Sequence, residues 1–289
     1  MELASLAVTG ATGRVGGRVA RRLAAAGVPQ RLVVRDPARA PALPGAAVVR
    51  AEYGDAPADR AAARSALAGV ETLFMVSGGE SVDRVDRHRA FIDAAAEAGV
   101  RRLVYLSFFG AAPDATFTLA RDHWATEEHL RASGVPHTVV RDNLYADFLP
   151  MIVGEDGVIR GPAGDGRAAM VAQDDIADAV VAVLRDPAPH EGRRYDLTGP
   201  AALTLHEAAA LLTAATGREV RYHPETVEEA YASRAHYGAP AWEVDAWVST
   251  YTAIAAGELA GVSADVERLT GRPATPVPEV LARTAAGTS

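Results

Sequence analysis

Residues 8–23 read VTGATGRVGGRVARRL, with Gly10, Gly13 and Gly16 three apart between an apolar run and an amphipathic one. Glycines at this spacing permit a tight turn, a close approach of backbone to a pyrophosphate and tight packing of a following helix. A helix starting near Arg14 would aim its free N–H groups and the positive end of its dipole at phosphate. The chemistry is that of holding a dinucleotide, with Gly10, Thr12, Gly13, Arg14, Val15 and Gly16 around the phosphates. Arg35 ends the next apolar run and Arg39 follows four residues later. An acidic residue at that point accepts from a ribose 2′-hydroxyl, whereas arginine accommodates a 2′-phosphate. Arg35 and Arg39 therefore favour NADP(H), with NAD(H) the alternative because Asp36 stands beside them.

Other chemistries are excluded by composition. The chain contains no cysteine and no lysine, so all 29 basic residues are arginine. Disulfides, thiolate ligands, a Walker-type Lys-Ser/Thr loop and any Schiff-base mechanism are ruled out. His206-Glu207 lacks a second histidine four positions on, and no G-x-S-x-G elbow occurs. Neither a metal nor a flavin is expected.

The elements that must position the loop follow from periodicity. Short β-branched runs at 3–9, 31–35, 47–50, 72–76, 102–107 and 137–140 alternate with helical patterns at 14–26, 58–68, 83–98 and 119–133. Parallel strands need such crossovers, so the α/β pattern predicts a Rossmann-type doubly wound parallel sheet. Residues 1–146 form the expected dinucleotide-binding domain, with 171–198 returning to it. Residues 147–289 read as a smaller, partly interleaved substrate-binding or lid region, and 147–170 as Gly- and Pro-rich turns or loops. Strand ends bind ligands in such sheets, which places Val76, Ser77, Gly78 and Ser107 near a nicotinamide.

A chain of 289 residues, 49% hydrophobic, can bury a sizeable core, and a formal charge of −8 argues against nucleic acid as partner. No apolar run reaches the ~18–20 residues that span a bilayer, and no basic leader precedes the first strand. The expectation is a cytoplasmic protein with no membrane partner, as monomer or homodimer.

GATGRVG, VVRDPARA, AEYGD, DAAAEAGVRRLVYLS, HLRASGVPHTVVRDNLYADFL, AQDDIADAVVAVL, YDLTGP and ERLTGRPAT together resemble the NmrA-like atypical short-chain dehydrogenases/reductases, most closely the type 2 NADPH:quinone oxidoreductases. The resemblance implies that Asp55 accepts from the adenine amino group. It also puts His123 where many relatives carry a lysine, as a cofactor- or substrate-facing group. A quinone suits a site without a Tyr-x-x-x-Lys pair, because its hydroquinone anion is stable and asks little of a proton donor. His123 and Tyr145 are the candidate donors. Phe108, Phe109, Trp124, Asn143, Tyr145 and Phe148 are the candidate pocket for a small aromatic or quinonoid substrate. Two alternatives stand beside quinone reduction: a non-catalytic NADP(H)-sensing regulator, and a polyketide-tailoring enzyme, monooxygenation included.

Overall fold

The structure, a computed structural model, describes residues 4–287. The strands β1 (Leu6–Thr9), β2 (Gln30–Val34), β3 (Ala46–Arg50), β4 (Thr72–Val76), β5 (Arg102–Phe108) and β6 (His137–Asp142) lie in the order β3-β2-β1-β4-β5-β6, and Arg194–Leu197 adds a seventh strand beyond β6. The pairings of β1 with β2, β1 with β4, β2 with β3 and β4 with β5 are all parallel. This is the doubly wound arrangement that the alternating pattern predicts. The first strand is shorter than its apolar run suggests, and Leu3 lies outside the described residues.

Contacts divide the chain into two compact units, one running to Phe108 with Asp122–Arg141 and Ile176–Tyr195, the other made of Phe109–Arg121, Asp142–Asp175 and the chain from Asp196. In the first unit, LAVT of β1 and QRLVV of β2 are buried along their whole length, as strands covered on both faces must be. Their crossover helices are α1 (Arg14–Ala25), α2 (Pro57–Leu67) and α3 (Arg84–Glu97), followed by α4 (Thr118–Ala132) after β5. Helix α1 turns Val15, Val19, Ala20 and Leu23 inward. Two polar residues on β2 are buried for a reason. Gln30 Nε2 donates to the Ala20 carbonyl at 2.7 Å, and Arg31 donates to the Ala66 and Ala68 carbonyls at 2.5 and 3.0 Å. The guanidinium thus satisfies carbonyls at the C-terminal end of α2 and complements its dipole.

A second buried charge ties α4 to the sheet. Arg141 Nε and Nη2 donate to the two oxygens of Glu127 at 2.8 and 2.7 Å, while the Ser107 hydroxyl donates to Glu127 at 2.5 Å. The bidentate fork and the extra donor satisfy a carboxylate that is only 2% exposed.

The second unit is more regular than its sequence suggests. Residues 147–170, read from sequence as turns and loops, contain most of a 3₁₀ segment (Ala146–Ile152) and the strand Val158–Gly161, which pairs in parallel with Arg221–Pro224. Glycine-rich turns hid a partner 63 residues away, and such long-range pairing leaves no local periodicity. Capping boxes at Thr204 and Thr226 start the helices Leu205–Thr216 and Val227–Arg234. Residues 109–121, placed by sequence with the nucleotide-binding part, group with the second unit, where the Thr116 N–H and hydroxyl donate to Glu258. Buried Asp175 accepts from the Thr275 N–H and hydroxyl at 2.6 and 2.8 Å and pairs with Arg272.

Glu127→Ala leaves the buried Arg141 guanidinium without its counter-charge and is expected to cost about 3–5 kcal/mol of stability in urea unfolding. Adding Arg141→Met should restore most of that loss, since an apolar replacement removes the stranded charge.

Candidate functional site

The glycine loop joins β1 to α1. Gly10 has φ +64°, a left-handed conformation, and its carbonyl accepts from the Gly13 N–H at 2.8 Å. A Cβ at Gly16 would lie 2.4 Å from the Gly10 oxygen and 2.8 Å from the Thr9 oxygen, so only glycine lets α1 start this close to the strand. The N-cap, Gly13, makes no side-chain capping bond, and no acidic residue occupies the first turn. A helix start whose own first turn carries no carboxylate suits a phosphate. Thr12, Gly13 and Arg14 are exposed there, while the Val15 side chain packs into the core.

Arg35 and Arg39 are exposed just past β2. Asp36 Oδ1 accepts from the Ala38 N–H at 3.0 Å, capping the short 3₁₀ turn Pro37–Arg39. That cap engages the one carboxylate whose presence clouded the choice between a 2′-hydroxyl and a 2′-phosphate. Asp55 is exposed beyond β3, and the α2 N-cap is Ala56, so Asp55 is not spent on capping that helix.

The loop after β4 is held by residues that sequence reading passed over. The Tyr53 hydroxyl lies 2.6 Å from the Val76 carbonyl and 2.7 Å from Thr9 Oγ1, which in turn accepts from the Val76 N–H at 2.8 Å. A carbonyl can only accept, so the Tyr53 hydroxyl is the donor to Val76, and the Thr9 hydroxyl donates to the Phe74 carbonyl at 3.2 Å. Two residues further on, the Gly78 N–H donates to His88 Nε2 at 2.8 Å, and Arg84 Nε donates to the Gly78 carbonyl at 3.1 Å. Val76 and Gly78 are thus fixed through their backbones, with Ser77 half-buried between them. The only sequence signal was Arg84 and His88 one turn apart on α3, which puts them on one face.

His123, on α4, is 7% exposed and lies between Tyr105 and Arg84. Arg84 Nη2 approaches His123 Nε2 at 3.0 Å, and the Tyr105 hydroxyl lies 3.0 Å from Nδ1. Arginine can only donate, so Nε2 is the acceptor and the ring proton sits on Nδ1, facing Tyr105. Burial, then the Arg84 charge, pushes the imidazole well below its ordinary value. His88 is also neutral: it accepts at Nε2 and gives Nδ1–H to Thr126 Oγ1 at 3.0 Å, and burial pushes it down to about 3. His123, expected as a candidate proton donor, is thus a buried ring bonded to Arg84 and Tyr105.

Other expected residues are also committed. The Ser107 hydroxyl is given to Glu127. Asn143 is fully buried, with Nδ2 donating to the Leu259 carbonyl at 3.0 Å and Oδ1 accepting from the Leu144 N–H, so it shapes the backbone instead of offering its amide to a substrate. The ring of Phe109 lies against Gly261. Trp124 is half-buried with the Arg131 guanidinium 6.0 Å from its ring, a surface packing arrangement. Phe108 and His123 do come together, their ring centroids 6.0 Å apart. In the second unit Tyr145 and Phe148 pack edge to face at 5.1 Å and line a cavity of about 870 Å³. The Tyr145 hydroxyl donates to Asp142 Oδ2 at 2.6 Å. Among the described residues no cluster of His, Asp or Glu could hold a metal, and no helix is long and apolar enough to cross a membrane.

A doubly wound sheet with a glycine turn packed tightly between its first strand and first helix is the architecture of the Rossmann-type folds. Residues 3–241 match the NmrA-like family, and the chain belongs to it. It is 36% identical to Quinone oxidoreductase 2 of Escherichia coli over 95% of this chain and 96% of that protein. It is 40% identical, over 93% of this chain and 94% of the other, to the (4-alkanoyl-5-oxo-2,5-dihydrofuran-3-yl)methyl phosphate reductase of Streptomyces griseus. The fold superposes on the crystal structure of the NADPH-dependent quinone oxidoreductase of Escherichia coli complexed with NADPH at a TM-score of 0.87, 35% identity, covering 96% of this chain and 99% of that one.

Neutral buried histidines give the site an acid-side weakness. The unfolded chain takes up protons at an imidazole below about pH 6.5, whereas folded His88 does so only near 3. Stability is therefore complete above 6.5 and falls as pH drops toward 3. Between pH 7 and pH 5 the wild type should lose about 2 kcal/mol more than His88→Gln in urea titrations.

Proposed function

We propose that this protein is an NADP(H)-dependent oxidoreductase that reduces quinones by two electrons in the cytoplasm, without flavin, metal or a Tyr-x-x-x-Lys pair. The observation that carries the cofactor half is the first turn of α1, which holds no acidic residue, together with exposed Arg35 and Arg39 and with Asp36 turned into a cap. The substrate half rests on family membership, on the quinone reductase relatives and on the aromatic cavity walls.

The bound reduced dinucleotide supplies a hydride at the nicotinamide. The quinone gains that hydride and one proton and leaves as hydroquinone, so electrons and protons balance. Gly10, Gly13 and Gly16 admit the pyrophosphate, Arg35 and Arg39 meet the 2′-phosphate, and Asp55 meets the adenine. Val76 and Gly78, fixed by Tyr53, Thr9, His88 and Arg84, wall the nicotinamide side. His123 is a positioning residue: as a neutral ring it orders Tyr105 and Arg84, and solvent supplies the proton. The Tyr145 hydroxyl, already given to Asp142, orients the aromatic wall. A stable hydroquinone anion makes a buried acid unnecessary.

Calorimetry with both cofactors should show tighter binding of NADPH than NADH. Arg35→Asp should weaken NADPH by at least about tenfold and NADH by much less, because it places a negative charge opposite the 2′-phosphate. Equal affinities would remove the phosphate contact. In assays with a panel of quinones, NADPH oxidation at the nicotinamide absorbance band is the expected result, and none with any quinone would overturn the proposal. The kcat profile should show no inflection near pH 6.5, and His123→Gln should lower kcat by less than the ~10²-fold that loss of a general acid brings. A kcat tracking an imidazole titration would restore His123 as the donor.

A further inference from the structure

The cavity of the second unit is large for the ring system of a simple quinone. Its volume of about 870 Å³ lies toward the upper end of the ~300–1,000 Å³ typical of pockets for drug-sized ligands. Its walls are aromatic and aliphatic. Phe148, Trp247 and Tyr251 provide flat faces, and Gly161 lets the Tyr251 ring lie directly against the strand, where any Cβ would sit 2.2 Å from it. Apolar side chains are left uncovered along the lining, with Met151 63%, Ile152 36% and Tyr237 64% exposed. Methionine there adapts to varied apolar shapes.

The charge on the lining is already spent. Arg234 Nη1 donates to buried Glu225 at 3.0 Å and Nη2 to the Arg160 carbonyl at 3.1 Å. Arg160 grips Asp156 through two hydrogen bonds, at 3.1 and 2.6 Å. His236 gives its Nδ1–H to the Ser233 carbonyl at 2.8 Å. Each guanidinium carries its own counter-charge, so a phosphate ester entering this cavity would lose its water without gaining an unpaired cation.

We infer that this cavity selects an uncharged quinone carrying a long apolar substituent, and discriminates against phosphorylated substrates of the kind named for the Streptomyces griseus relative. The inference rests on the quinone assignment above for the ring and on the cavity for the substituent. Covering the exposed Met151 and Ile152 is what the substituent contributes, at about three- to fourfold in affinity for each methylene buried.

Equilibrium dialysis of the full-length protein with 2-alkyl-1,4-dimethoxynaphthalenes, which accept no hydride, tests the cavity apart from turnover. Lengthening the alkyl chain from methyl to hexyl should lower Kd by at least tenfold, and ending the hexyl chain in a phosphate should reverse that gain. Met151→Glu, at an exposed position, should raise Kd for the hexyl compound at least tenfold, with an unchanged thermal midpoint confirming that it folds. A Kd independent of chain length, tighter binding of the phosphate compound, or a Met151→Glu protein that binds the hexyl probe normally would each overturn the inference. Turnover of the corresponding 2-alkyl-1,4-naphthoquinones is read separately. Lower KM for the hexyl quinone supports the inference, whereas length-dependent binding without any NADPH oxidation defeats the quinone assignment and leaves the cavity's preference standing.

Discussion

The contact between the start of α1 and the end of β1 governs what this fold can hold. At Gly16 the helix backbone comes so near to Thr9 and Gly10 that no side-chain carbon fits between them. This approach sets the angle at which the helix leaves the strand, and with it the direction of the donors at its first turn. The left-handed Gly10 is the matching requirement on the strand side, since the chain must reverse within a few residues. A methyl group at position 16 would push the helix outward and misdirect those donors, even if the sheet still formed.

Around that contact the loops are held by single polar groups whose donors and acceptors are matched one to another. Thr9, Tyr53 and His88 hold the backbone after β4, and Glu127 holds Ser107 and Arg141. Each group has been taken out of water, so its bond is directional and its loss expensive. This explains why two histidines sit in the neutral form: a protonated His88 could not accept from Gly78, and a protonated His123 could not accept from Arg84. Precise loops on an otherwise apolar sheet follow from such acceptor-only geometry.

The strands, the doubly wound class of the sheet and the glycine turn after β1 were legible because their signals are local. Buried parallel strands read as apolar runs, crossover helices as amphipathic ones, and glycine spacing reports a backbone requirement directly. The roles of side chains were less legible because they depend on partners far away in the chain. Ser107, expected near a nicotinamide, is bound to Glu127, and of the expected pocket residues Asn143 is bound to Leu259 and Trp124 packs with Arg131. Tyr53 gave no sign of its importance, and Arg84 only its spacing from His88, because an arginine on a helix and a tyrosine after a strand are ordinary in isolation. The strand Val158–Gly161 was hidden for the same reason, its partner being Arg221–Pro224.

With no lysine in the chain, every side-chain cation other than histidine is a guanidinium, including those that hold Glu127, Glu225, Asp175 and Asp178. Electrophiles of the conjugated-carbonyl type attack thiols and primary amines far more readily than they attack a delocalised, permanently protonated guanidinium. A chain that has neither thiol nor ε-amine, and ties its carboxylates with arginine, presents few handles for arylation. Its ion pairs also persist into strongly alkaline solution, where ammonium-based pairs dissolve. The same choice of cation that shapes the fold therefore leaves the chain without its two most readily arylated side-chain types, thiol and ε-amine.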